Sequence, residues 1–327
     1  MTQTVVLSSR VRLARNLKGL PFPNSMTAAQ VQELIEKVDG AINGNKDFLL
    51  LKMKELPPRE RQMLVERHLI SPDLARSAGA ALINKDETLS IMIGEEDHLR
   101  IQCMLAGEQL EKADELCAAL DNALSRQLEY AFDQDLGYLT ACPTNVGTGM
   151  RASMMVHLPA LALAGQAEAL LNAVSKLGYA IRGLYGEGSD AVGHIYQISN
   201  QMTLGMLEED IIANLKATVR RVIDRENEVR KALYESNRME VEDIVFRSLG
   251  ILKYARKLDT REAMEHISNL KLGVGLDMLP DLKDATLNRL LITIQSASLQ
   301  QRAGQALGDA QRDAARAKLL REELKEE

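Results

Sequence analysis

The chain has 327 residues, of which 40 are Lys or Arg and 46 are Asp or Glu, giving a formal net charge of −6 with 3 Cys and no Trp. A hydrophobic share of 46% supplies a core and excludes a disordered chain, and no apolar run approaches the roughly 18 residues that would mark a membrane span. The acidic balance excludes non-specific nucleic-acid binding, so an anionic ligand requires a local cluster of positive charge.

Cys103, Cys117 and Cys142 are odd in number and lack CxxC spacing, so neither a disulfide framework nor a metal site is expected. The first 13 residues lack the basic-then-apolar layout of a secretory signal, which predicts a cytoplasmic location. Extended runs fall at 89–93, 99–104, 154–158, 179–185 and 192–199, and the tight corners between some of them favour antiparallel neighbours. Leu110, Ala113, Cys117, Leu120, Leu124 and Leu128 recur at steps of three and four, predicting an amphipathic helix over 108–131 that covers the sheet. Further helices are expected over 160–177, ended by Gly178, and over 208–235, with Glu208, Glu209 and Asp210 in the first turn. Residues 240–327 show no strand pattern and only Pro280, so a small helical bundle follows. The fold class is α+β, an antiparallel sheet flanked by helices with an all-α C-terminal domain, divided as 1–236 and 237–327.

Four segments carry chemistry. In Ser8-Ser9-Arg10-Val11-Arg12-Leu13-Ala14-Arg15 an extended backbone puts Arg10 and Arg12 on one side and Val11 and Leu13 on the other, so two guanidinium forks project together, as polyphosphate binding needs. An exposed edge guarded by charge is the alternative. At Gly94-Glu95-Glu96-Asp97-His98 an apolar run breaks at three adjacent acids; with an alternating exit strand Glu96, His98 and Arg100 share a face, and a solvated turn is the bland reading. Residues 142–153, CPTNVGTGMRAS, combine a thiol, glycines and small polar groups with Arg151, permitting a backbone close to a ligand, although the P-loop spacing is absent. Residues 182–190, RGLYGEGSD, form a glycine-rich loop flanked by Arg182 with Glu187 near its tip, or an ordinary hairpin connection. Five arginines and two glutamates suit phosphoryl transfer, where cations neutralise phosphates and carboxylates orient the nucleophile.

SSRVRLAR, EEDHLRIQ, CPTNVGTGMRAS and RGLYGEGSDAVGHIYQISNQ, in that order, resemble the ATP:guanidino phosphotransferases, and in the wording of the last two the bacterial protein-arginine kinases. The resemblance spans essentially the whole chain. It implies the guanidino kinase catalytic fold and transfer of the ATP γ-phosphoryl group, with Mg2+, to a guanidinium nitrogen of arginine in a protein. It implies that ATP is bound by Ser8, Ser9, Arg10, Val11, Arg12, His68, Arg100, Arg151, Ala152, Ser153, Met154, Met155, Arg182, Gly183, Leu184, Tyr185, Gly186 and Glu187. Glu96 and Glu187 then hold the target guanidinium, Glu96 as base, and Cys142 supports the substrate. Carboxylates are suited to this, because an arginine is fully protonated in water and loses a proton as the N–P bond forms.

Arg312-Asp313-Ala314-Ala315-Arg316-Ala317 matches the RDxxRA pattern of those kinases, which implies a phosphoarginine-sensing site of Arg312, Asp313, Arg316 and Ala317; the bland reading is a solvated helix face. The resemblance further implies a homodimer formed through the helical domain, an activator protein, and delivery of marked proteins to a Clp-type protease in a stress response. Two positions depart from the pattern. Gly94 stands where the family usually has Asn, which predicts a looser corner, and Tyr185 stands where kinases of small guanidino compounds usually carry Arg. The competing functions are a kinase of free arginine and a phosphoarginine-binding adaptor without turnover.

Overall fold

The structure, a computed structural model, describes residues 5–42, 47–183 and 192–325. It separates into two compact units, a sheet unit of Ser8–Met154 and Ser199–Ala217 and a helical unit of Met1–Leu7, Met155–Ile198 and Thr218–Glu327.

The strands are β1 (Val6–Arg15), β2 (Phe48–Lys52), β3 (Ala80–Asn84), β4 (Leu89–Ile93), β5 (Leu99–Ala106), β6 (Phe132–Asp133), β7 (Gly137–Tyr138), β8 (Met150–His157), β9 (Tyr179–Gly183) and β10 (Ile195–Asn200). The helices are α1 (Ala28–Ile42), α2 (Pro58–Glu66), α3 (Pro72–Arg76), α4 (Leu110–Ser125), α5 (Pro159–Leu163), α6 (Ala167–Lys176), α7 (Glu208–Ser236), α8 (Arg238–Tyr254), α9 (Thr260–Gly275), α10 (Asp284–Thr293), α11 (Ser296–Ala303) and α12 (Asp309–Glu323).

In the sheet unit the strands run in the hydrogen-bonded order β2-β3-β4-β5-β1-β8, with β2, β3, β4, β5 and β1 successively antiparallel. The register pairs Arg12 with Gln102 and Val11 with Cys103, so the period-2 alternation of β1 turns Val11 and Leu13 to one face and the arginines to the other. Helix α4 covers the apolar face: Leu110, Ala113, Cys117, Leu120 and Leu124 are buried, and the Cys117 thiol points at the Val11 and Ile101 carbonyls. Its expected role as sheet cover holds, with ends at 110 and 125. Arg15 closes that layer by pairing with Asp121 at 2.7 Å and lying 3.6 Å over the Tyr138 ring.

In the helical unit β9 lies beside β10, and α8, α9, α10 and α12 surround a core that includes Val245, Leu252, Ile267, Leu270, Leu287 and Leu320. The helix expected over 160–177 is broken at Gly165 into α5 and α6, and residues 192–194 form a 3-10 turn rather than the start of a strand. Glu226 on α7, fully buried, accepts hydrogen bonds from the Ala160 and Leu161 amides at the start of α5 and from Arg230 Nε at 2.7 Å. Donors at a helix start and one guanidinium together satisfy that buried charge. Among the described residues no helix is long and apolar enough to cross a membrane, and 238–325 contain no strand.

Candidate active site

The sheet unit gathers Arg10 and Arg12 from β1, Arg100 from β5 and Arg151 from β8. Burial of its head group drives the Arg12 guanidinium well below its ordinary pKa, and the like charges of Arg10, Arg100 and Arg151 push the same way, with Glu95 opposing. The Arg12 Nε is out of contact with solvent and has no hydrogen-bond partner among the described residues. Clustered guanidinium groups with an unsatisfied donor are costly in isolation and favourable around a polyanion. This residue set fits the triphosphate of ATP.

Neighbouring groups hold the cluster in place. The Ser153 hydroxyl accepts from Arg10 Nε at 3.4 Å. Asn200 Oδ1 accepts from the Ala152 amide at 2.8 Å while its Nδ2 donates to Met150 O, which fixes β8 on either side of Arg151. His68 sits at φ +58, and burial followed by the charge of Arg10 lowers its imidazole to about 4, so it faces the cluster as a neutral ring.

The acidic corner supplies two carboxylates to Arg100. Glu95 lies 2.9 Å from Nη1 and Glu96 3.1 Å from Nη2, with side chains 6% and 41% exposed. Burial raises the Glu95 carboxyl, with Arg100 pulling it back. Glu96 is therefore the member of the pair open to a second guanidinium. Asp97 and Asn16 pin this corner. Asp97 Oδ1 accepts from Asn16 Nδ2 and from the Ala141 amide, both at 2.7 Å, and Asn16 Oδ1 accepts from the His98 amide. The Ala141 bond places the Cys142 turn beside the corner, where the half-buried thiol lies 3.0 Å from the Thr144 hydroxyl.

The predicted face of Glu96, His98 and Arg100 is corrected in one member. Glu96 and Arg100 meet, but β5 starts at Leu99, and the buried His98 ring accepts from Leu17 N at 2.9 Å and lies 2.7 Å from Pro21 O. The glycines of CPTNVGTGMRAS also serve a different end. A Cβ on Gly147 would lie 2.4 Å from Thr203 O, and one on Gly149 would lie 2.6 Å from Ala14 O, so these residues admit neighbouring backbone, and Arg151 stands within a strand.

Several predicted ATP positions are framework in this geometry. Ser9 is buried, donates to Gly107 O and accepts from Gln109 N, while Val11, Ala152 and Met154 are buried apolar residues. Ser8 is half-buried on β1. Met155, Arg182 and Gly183 belong to the helical unit, the last two at the end of β9, and Leu184, Tyr185, Gly186 and Glu187 lie outside the described residues. On α12, Arg316 is 1% exposed and donates to Ile294 O, Leu258 O and Asp313 Oδ1, whereas Arg312 is 27% exposed, donates to Leu307 O and pairs with Asp309; Ala317 is buried. Sequence reasoning misses Asn16, Asp97, Glu95 and Asn200. Asn16 directly follows the first arginine motif, and Glu95 and Asp97 flank Glu96, which is the signal available for them.

Residues 30–229 match the family described as ATP:guanido phosphotransferase, C-terminal catalytic domain, and 238–327 match the one described as protein-arginine kinase McsB C-terminal domain. The chain belongs to the ATP:guanido phosphotransferase family. Among its relatives, the protein-arginine kinase of Moorella thermoacetica is 49% identical over 98% of this chain and 94% of its own length. That of Caldanaerobacter subterraneus is 48% identical over 98% and 97%. A crystal structure of lombricine kinase aligns with 71% of this chain and 69% of its own at 30% identity and a TM-score of 0.64. The duplicated taurocyamine kinase of Schistosoma mansoni, with bound transition state analog components, aligns with 70% of this chain and 34% of its own at 27% identity and a TM-score of 0.64. The antiparallel sheet of an ATP:guanido phosphotransferase, with its flanking helices and helical C-terminal region, is therefore the architecture of this chain.

Proposed function

We infer that the chain is a protein-arginine kinase that moves the γ-phosphoryl group of ATP to an arginine side chain of a protein. The grouping of Arg10, Arg12, Arg100 and Arg151 beside the half-exposed Glu96 carries this reading. Relatives named protein-arginine kinase, matched over 98% of the chain, support it. The arginines hold the phosphates and offset the charge that builds on the transferring group. A guanidinium nitrogen of the substrate attacks the γ-phosphorus, the bond to the bridging β–γ oxygen breaks, ADP leaves, and the proton lost from nitrogen goes to the Glu96 carboxylate. Mg2+ carried on ATP supplies further charge neutralisation. Glu187 serves as the second carboxylate and Cys142 as a supporting contact.

The reading extends to a catalytic domain of residues 1–236 and a pairing and sensing domain of 237–327, acting as a cytoplasmic homodimer with an activator protein and a Clp-type protease downstream in a stress response. In the sensing site Arg312 is the reachable phosphate ligand and Arg316 the residue that shapes it, in keeping with their exposures of 27% and 1%.

Incubation with ATP, Mg2+ and an arginine-rich protein is expected to give acid-labile phosphoarginine, read by phosphopeptide mass spectrometry, and Glu96→Gln is expected to remove it. An undiminished signal from that variant would overturn the assigned chemistry. Turnover of free arginine in preference to protein would move the chain to the small-guanidino kinases.

A further inference from the structure

Beside the Cys142 turn the sheet unit leaves large apolar side chains in solvent: Phe132 (58% exposed) and Leu136 (46%) around the β6–β7 hairpin, and Met202 (60%), Leu204 (50%) and Leu207 (61%) between β10 and α7. The two stretches are far apart in sequence and are tied to each other through residues 144–148. Tyr138 N donates to Gly147 O at 2.8 Å, Thr148 N donates to Thr203 O at 3.2 Å, and the Thr203 hydroxyl donates to Thr144 O and Val146 O at 3.0 and 2.6 Å. Glycine permits the approach: a Cβ on Gly137 would lie 2.5 Å from Gly147 O, and one on Gly147 would lie 2.7 Å from Leu204 Cα. Five solvent-facing apolar residues thus flank the turn that Ala141 N fastens to Asp97, next to Glu96.

Charge points to the occupant. Residues 127–150 and 199–215 contain no Lys or Arg, and their exposed charges include Asp133, Asp135, Glu209 and Asp210. An apolar rim tied through Ala141 N to the corner that holds Glu96, drawn from segments with acids and no base and with the neighbouring Lys18 already paired to Glu129, complements a basic polypeptide whose neighbouring side chains are apolar. A free amino acid has nothing to place there.

We propose that Phe132, Leu136, Met202, Leu204 and Leu207 form the docking surface for the protein substrate, seating apolar residues that adjoin the target arginine. The proposal rests on the protein-arginine kinase reading.

The test compares two peptides, one with its arginine flanked by Leu and Phe and one with those residues changed to Ser, on the full chain. Wild type is expected to show a KM about tenfold lower for the apolar-flanked peptide, corresponding to about 1.4 kcal/mol. Phe132→Ser/Leu136→Ser and Met202→Ser/Leu204→Ser are each expected to erase most of that difference while kcat and the KM for ATP stay unchanged. Equal KM values in wild type would overturn the docking surface while leaving the kinase intact, and that outcome needs no variant to fold. The docking surface is likewise overturned if the variants keep the difference, or if they self-associate less than wild type in sedimentation without peptide, which would assign the face to a second copy of the chain. No phosphoarginine on either peptide or on protein would sink the kinase reading and the docking surface with it.

Discussion

Glu95 and Arg100 form an ion pair of 2.9 Å whose approach is off-line for a hydrogen bond, with 6% and 17% of their side chains exposed. Burial raises the Glu95 carboxyl above its usual value despite the nearby guanidinium. A carboxyl raised on folding costs stability above its folded pKa, and the cost fades as pH falls to the unfolded value. Glu95 is thus expected to add little to stability at neutral pH, and its expected role is to orient Arg100 beside Glu96. Glu95→Gln is expected to leave the melting temperature at pH 7 unchanged or higher while lowering kcat/KM by about 10- to 100-fold, the scale of a misplaced positioning group. Parallel melting curves and steady-state rates check this, and a destabilised variant with full activity would reverse the assignment.

Arg12 extends the same trade to the arginine cluster. Its pKa is driven down by burial and then by Arg10, Arg100 and Arg151, so its charge is a cost at neutral pH when nothing anionic is bound. Arg12→Met is expected to raise the ligand-free melting temperature and to abolish the upward shift that ATP produces in wild type. At 100 times Kd that shift corresponds to about 2.7 kcal/mol. Differential scanning fluorimetry with and without ATP reads both effects, and an ATP shift that survives in the variant would remove Arg12 from the binding site.

His68 predicts an acid limb. Its folded pKa of about 4 lies below the ordinary histidine value of 6.5, so the unfolded chain takes up the proton first. The associated stability is fully present above pH 6.5 and is lost as pH falls from 6.5 towards 4, amounting to at most about 3.5 kcal/mol. His68→Asn suits the left-handed backbone at φ +58. That variant is expected to flatten the decline of the urea midpoint between about pH 6.5 and 4, and an unchanged slope would assign the decline to other groups.

The parts of this site that are legible in the sequence are those written locally. Arg10 and Arg12 alternate with Val11 and Leu13, so a strand period alone assigns their faces, and α4 shows its buried stripe at steps of three and four. Contacts that close over long sequence separations are not legible. Asn16 reaches Asp97 across 81 residues, and Asn200 reaches the Ala152 amide across 48, with nothing in either segment that marks the partner. His98 departs from its expected face for the same reason, since its ring is claimed by Leu17 and Pro21. In residues 147–149 the glycines are visible, but whether ligand or backbone fills the space they leave depends on Thr203 and Ala14 arriving from elsewhere in the chain.

On α12 the two arginines are expected to behave differently. Arg316 serves two carbonyls and Asp313 from a position 1% exposed, so Arg316→Ala strands buried acceptors and is expected to cost about 2–4 kcal/mol. Arg312, paired with Asp309 at the surface, is expected to tolerate Ala within about 0.5 kcal/mol. If the sensing reading holds, phosphoarginine titrated by calorimetry loses its heat in Arg312→Ala without loss of fold, and retained binding would exclude that residue as a phosphate ligand.

Gly94 occupies φ +71 and closes the acidic corner through Gly94 N to His98 O at 2.9 Å. A Cβ there would meet Val31 Cγ1 at 3.4 Å and Gly79 Cα at 3.8 Å, so the space admits a side chain and the backbone angle decides what is tolerated. Asparagine visits the left-handed region readily, and replacing glycine lowers the entropy of the unfolded chain by about 0.4–1 kcal/mol. Asparagine at φ +71 still carries some strain that glycine does not, which offsets the entropic gain, and Gly94→Asn is expected to leave stability within about 0.5 kcal/mol of wild type. Gly94→Val puts a β-branched residue at positive φ and is expected to cost about 1–2 kcal/mol. Because the corner is also pinned by Asp97 and Asn16, kcat with Asn at this position is expected to stay within about twofold of wild type. A rate several-fold higher in Gly94→Asn would show instead that glycine leaves Glu96 imperfectly placed.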